Sequence, residues 1–125
     1  MPRMTPVLDE FTHAFLCAAL WLSDPHPGQG EWSEHDDWSI ANIDRASIDD
    51  AIRDCADFQQ THADDLSQAG TPAQNGHDFF LTRNHHGTGF WDRGYGVVGE
   101  RLSNASKAYG TWELLDAHGV IYHHS

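Results

Sequence analysis

Basic residues are scarce in this chain of 125: seven Lys or Arg stand against nineteen Asp or Glu, a formal net charge of −12. Proteins that grip a nucleic-acid backbone do so largely with Lys and Arg on phosphates, so this balance excludes ordinary backbone binding to DNA or RNA. Cysteine is limited to Cys17 and Cys55. Each lies in a helical apolar pattern with no signal sequence before it, so two buried thiols in a reducing cytoplasm are expected. The longest apolar run, Ala14 to Leu22, has nine residues, against roughly twenty for a membrane span. It reads as a core helix, and no membrane partner is expected.

Recognisable catalytic spacing is missing too. There is no H-E-x-x-H or C-x-x-C, and no serine stands in a nucleophile elbow. Adjacent pairs such as His85-His86 and His123-His124 project in divergent directions, so the ten histidines do not imply a metal site. A site assembled in space from His77, Asp78, His86 and a C-terminal histidine is the one metal arrangement left open. No cofactor, resident metal or catalytic residue is assigned.

What the chain does have is aromatic content: five Trp, six Phe and three Tyr, with 39% hydrophobic residues overall. That suffices for one core and one domain over 1–125. The charge is uneven. Residues 1–78 hold fifteen acids and three arginines, whereas 79–125 hold four of each sign and are neutral.

Periodicity predicts three helices. Thr5-Pro6 reads as a cap and first-turn proline, and Val7, Leu8, Phe11, Phe15, Ala18 and Leu22 follow at helical spacing, giving a helix over about 6–22. Residues 23–44, rich in Pro, Gly, Asp and Ser, read as a long loop. Ser47 with Asp50 resembles a capping box for a helix over about 48–69, whose acids gather opposite its apolar face. Val98, Leu102, Ala105 and Tyr109 mark a third helix over about 97–109.

Alternation in His77–Arg83 predicts a strand, and "TWELL" with "VIYHH" predicts a hairpin, placing strands at about 77–83, 111–115 and 119–124. The expected class is α+β. A three-stranded, largely antiparallel sheet carries the two N-terminal helices, and the third helix connects strand 1 to the C-terminal hairpin.

The stretch "LTRNHHGTGFWDRG", residues 81–94, concentrates side chains of recognition chemistry. Arg83 and Arg93 offer planar forks for carboxylate or phosphate, Phe90 and Trp91 offer flat faces, and Asn84 and His86 offer polar edges. Gly87, Gly89 and Gly94 would let a ligand approach the backbone. Arg83, Asn84, His86, Trp91 and Arg93 are therefore the candidate site for a small anionic ligand such as a nucleotide. The structural alternative has the arginines paired with Asp78 and Asp92, Trp91 in the core and the glycines in tight turns.

The segment "GHDFFLTRNHHGTGFWDRGYG" resembles a motif close to DFWLTRN-x-HG-x-GFWDRG in a family of small proteins encoded by bacteriophages and prophages. "CAALW" at 17–21, "DCADFQ" at 54–59, "KAYG" at 107–110 and "GVIY" at 119–122 extend the likeness over most of the chain. This chain departs from the pattern with Phe80 in place of Trp, His85 where Gly is common and Thr88 where Ala is common. The resemblance implies phage origin and brings no activity with it.

A second candidate surface is "EWSEHDDWS", residues 31–39. Glu31, Glu34, Asp36 and Asp37 supply steering charge and Trp32 and Trp38 supply anchors for docking on a basic partner. Size, charge and resemblance together lead to an expectation of binding rather than turnover. The protein would counter or redirect a host system by occupying the nucleic-acid-binding surface of a host protein, as some anti-CRISPR proteins do. Sequestration of a nucleotide signal by the 83–94 cluster is the alternative. A metal-dependent hydrolase or nuclease, with His86 as general base and Asn104 on the following helix, is a further one.

Overall fold

The computed structural model describes residues 7–22, 40–86, 89–117 and 120–123. Its α-helices are α1 (Glu10–Leu22), α2 (Arg45–Thr61), α3 (Ala63–Ser67), α4 (Pro72–Arg83) and α5 (Val97–Lys107). Single 3₁₀ turns occur at Ile40–Asn42 and Phe90–Asp92. Strands β1 (Leu114–Ala117) and β2 (Val120–His123) pair antiparallel, Leu114 opposite His123 and Ala117 opposite Val120.

The expected three-stranded α+β arrangement is overturned, because residues 77–83 are helical and the described sheet has two strands. The local cause lies upstream. Thr71 caps α4 by accepting a bond from the Gln74 N–H at 3.2 Å, and Pro72 sits at the first helical position, where its missing N–H costs nothing. From Asp78 to Arg83 every residue is buried. A helical segment buried on every face, as 78–83 is, loses its 3.6-residue polarity pattern, which is why this part of the sequence imitates a strand.

Helix α1 is capped by Asp9, whose carboxylate accepts from the Thr12 N–H at 2.7 Å and whose carbonyl accepts from the His13 N–H at 2.9 Å; the expected cap Thr5-Pro6 lies outside the described residues. Likewise α2 is capped by Asp44, which accepts from the Ser47 N–H at 2.9 Å, so Ser47 is a first-turn residue. The segment expected as one helix over 48–69 breaks at His62, whose N–H still bonds to the Phe58 carbonyl while its own backbone leaves helical geometry.

Helices α1 and α4 form the central pair. Their approach depends on Gly76, where an added Cβ would lie 2.0 Å from the Phe11 carbonyl oxygen. Around the crossing, aromatic rings fill the core. Phe58 stacks on Phe79 with centroids 4.2 Å apart, and Phe15 meets Phe80 and Trp112 edge-on at 5.4 and 5.2 Å. Each such pair adds roughly 0.5–1.5 kcal/mol to the burial of its rings. Helix α5 packs against α4 and the Phe90–Asp92 turn, which places Phe90 in the same core.

Candidate functional site

The motif 83–94 is divided: Arg83, Gly89 and Phe90 are buried and Asn84 is half-buried, whereas His85, His86 and Trp91 to Gly94 are exposed. Arg83, only 2% exposed, donates from Nε to the Gly110 carbonyl at 2.7 Å, from Nη2 to the Tyr109 carbonyl at 3.1 Å and from Nη1 to Asp54 at 3.1 Å. Its guanidinium also lies over the rings of Phe79, Tyr109 and Phe15 at 5.3–5.7 Å. One side chain thus ties the end of α4 to α2 and to the chain leaving α5. Burial pushes the Arg83 pKa below its ordinary value, and the Asp54 charge pulls it back.

Asn84 accepts from the Trp112 N–H at 2.8 Å and donates to the Phe80 carbonyl at 2.9 Å, so it too is a brace. The chain then leaves α4 by a Schellman turn: the His86 N–H reaches the Leu81 carbonyl at 3.0 Å and the His85 N–H reaches Thr82 at 3.2 Å. His85 takes the left-handed position with φ 60°. The chain returns over α4 at Gly89, with φ 143°, where a Cβ would stand 2.2 Å from the Thr82 hydroxyl. That hydroxyl accepts from the Phe90 N–H at 3.3 Å.

The five candidate ligand residues therefore do not converge. Arg83 and Asn84 are engaged in the interior, His86 is exposed with its ring 6.2 Å from that of Phe80, and Trp91 is 55% exposed and not a core residue. Arg93 pairs with Asp78, not with Asp92, while Arg83 pairs with Asp54. Gly87 and Thr88 lie outside the described residues, as do Glu31, Trp32, Glu34, Asp36, Asp37 and Trp38.

Arg93 instead borders a cleft of about 560 Å³ between α1 and the first turns of α4, lined also by His13, Cys17, Thr71, Gln74 and His77. Its wall is held by Asp78, fully buried, which accepts two bonds from Arg93 at 2.9 and 3.1 Å and one from Gln74 at 3.1 Å. Burial raises the Asp78 pKa, but bonds from His77, Arg93 and Gln74 and the arginine charge more than offset this and hold it below its ordinary value. The same pairing raises Arg93.

Cys17, expected to be buried, is exposed on α1, with its sulfur 3.7 Å from His13 Nδ1. Partial burial still pushes its thiol above the ordinary value. Cys55 is the buried thiol, raised further by its burial. Sequence reading missed this cleft, although the i, i+4 spacing of His13 and Cys17 on a helix was a visible signal.

Among the described residues no group of three His, Cys, Asp or Glu stands close enough to hold a metal. His77 lines the cleft, Asp78 is paired with Arg93, and His86 follows helix α4 and not the strand expected before it. Among those residues, no helix is long and apolar enough to cross a membrane. Comparison with protein-family models, with curated proteins and with solved structures finds no match.

Proposed function

We propose that this is a non-enzymatic, phage-encoded binding protein of the bacterial cytoplasm. Its acidic surface docks on the nucleic-acid-binding face of a host protein and so counters or redirects a host system. The observation that supports this reading is how the cations are used. All five arginines of the described residues are paired with aspartates: Arg45 with Asp49, Arg53 with Asp50, Arg83 with Asp54, Arg93 with Asp78 and Arg101 with Asp65, at 2.7–3.1 Å. Glu10, Asp57, Asp64, Asp92 and Glu100 are exposed outside these pairs.

The surplus charge that faces solvent is thus negative, which steers the chain toward a basic partner. The acidic and tryptophan-bearing residues 31–39 would add an anchored patch ahead of α2. Nucleotide sequestration by the 83–94 cluster is the less favoured reading, because Arg83 and Asn84 are bonded within the fold and would leave His86, Trp91 and Arg93 to hold a ligand.

The test is affinity purification from bacterial cells at low salt, followed by challenge of the retained partner with duplex DNA and with rising salt. Release of the partner by both is expected. A partner held unchanged by either challenge overturns the proposal.

A further inference from the structure

We propose that the cleft between α1 and α4 binds a small tetrahedral dianion, a phosphomonoester by class, through His13, His77 and Arg93. Among the described residues that line the cleft, these three carry or take up positive charge and none is Asp or Glu. In a chain with nineteen acids against seven Lys or Arg, that lining reverses the general balance.

The α4 wall is built in depth. Asp78, fully buried, accepts two bonds from Arg93 at 2.9 and 3.1 Å, and its carboxylate lies 4.0 Å from His77 Nδ1. One carboxylate behind the wall thus organises two of the three groups. It occupies Nε and Nη2 of Arg93 and leaves Nη1 outside the pair, on a side chain that is 35% exposed. It likewise leaves His77 Nε2 outside its contact. His13 enters from the opposite wall, on α1. Donors arriving from two walls suit a tetrahedral oxyanion better than a planar carboxylate, which a single guanidinium fork satisfies.

Asp78 and Arg93 cancel, so the charge that meets the ligand comes from the two imidazoles, side chains that change charge between about pH 5 and pH 8. Near His13 on α1 stand Asp9, Glu10 and Cys17. The Asp9 carboxylate is bonded to the Thr12 N–H and to Gln59, and Glu10 is exposed outside the lining. Burial raises the Cys17 thiol, which adds no negative charge. Two imidazolium charges match one dianion, so binding takes up protons. The cleft, about 560 Å³, also has room for the organic part of an ester. The site needs no partner protein and does not depend on the acidic docking surface.

Histidine side-chain NMR of the full-length protein, titrated with inorganic phosphate and with sulfate at constant ionic strength, tests this. At about pH 6 both probes should shift the His13 and His77 resonances to saturation with one common Kd, while exposed His86, outside the cleft, stays unshifted. Sulfate keeps its charge as pH rises, so its affinity should fall at least about tenfold by about pH 8 through loss of the imidazolium protons alone. His13→Gln and His77→Gln should each weaken sulfate binding about tenfold or more, as removal of a charged hydrogen-bond donor does. His86→Gln should leave it unchanged, and thermal melts check that each variant is folded. Absence of saturable shifts at His13 and His77 in the wild type would overturn the site. So would equal shifts at His86, variant affinities close to wild type, or acetate binding as tightly as sulfate.

Discussion

The Arg93 guanidinium closes on the Asp78 carboxylate through two bonds, Nε to Oδ2 at 3.1 Å and Nη2 to Oδ1 at 2.9 Å, with the carboxylate fully buried and the arginine at its solvent edge. The pair fixes the 90–94 segment to the middle of α4. Its consequence is acid sensitivity. Because the folded Asp78 pKa is lowered, its stabilisation is complete above an ordinary Asp value of about 3.9 and is lost as pH falls through the lower folded value. Urea unfolding should show stability dropping as pH falls below about 4. Asp78→Asn should be less stable at neutral pH and decline less steeply over that window. Parallel pH curves for the two proteins would assign the acid sensitivity elsewhere.

Arg83→Ala should lower stability by about 3 kcal/mol, as expected for a buried pair that loses one partner. The cost arises because Asp54 and the carbonyls of Tyr109 and Gly110 lose their donor together. Chemical denaturation measures it. A change under about 0.5 kcal/mol, typical of an exposed residue, would show that the guanidinium is not the brace its contacts describe.

Gly76→Ala tests the helix crossing. A methyl group 2.0 Å from the Phe11 carbonyl oxygen forces α1 and α4 apart, and overpacking of this kind costs about 1–3 kcal/mol or more. The expected result is a lower melting temperature despite alanine's better helix propensity. A melting temperature equal to or above wild type would contradict the close approach.

His85→Gly should act in the opposite direction. The residue is exposed and holds φ 60° at the Schellman position, where a side chain is strained and glycine is not. A gain of up to about 1 kcal/mol is expected: relief of the left-handed conformation, roughly 1–2 kcal/mol, less the extra unfolded-state freedom of glycine, roughly 0.5–1 kcal/mol. Calorimetric melting decides it, and a loss of stability would mean that the His85 side chain contributes more than its backbone costs.

Several elements were legible because their causes are local. Phe11, Phe15 and Ala18 recur at helical spacing, and these residues form the buried side of α1. Ile48, Cys55 and Leu102 likewise mark buried positions on α2 and α5. The signal for α4 was present as well, in Thr71-Pro72, the same cap-and-proline pair read at Thr5-Pro6. It was outweighed by the alternation of residues 77–83, of which 78–83 are buried on every face of a central helix.

By itself the sequence determined the acidic balance, the scarcity of thiols, the aromatic supply of the core and the amphipathic segments, all of which follow from composition or near-neighbour spacing. Tertiary structure alone decided which polar groups meet. Arg83 finds Asp54 29 positions away, Asn84 receives the Trp112 N–H from 28 positions away, and the cleft joins His13 and Cys17 of α1 to His77 of α4. A guanidinium has the same fork whether it awaits a ligand or closes on its own chain. Its burial and its partners make that distinction, and both arise from contacts between helices that no short window of sequence contains.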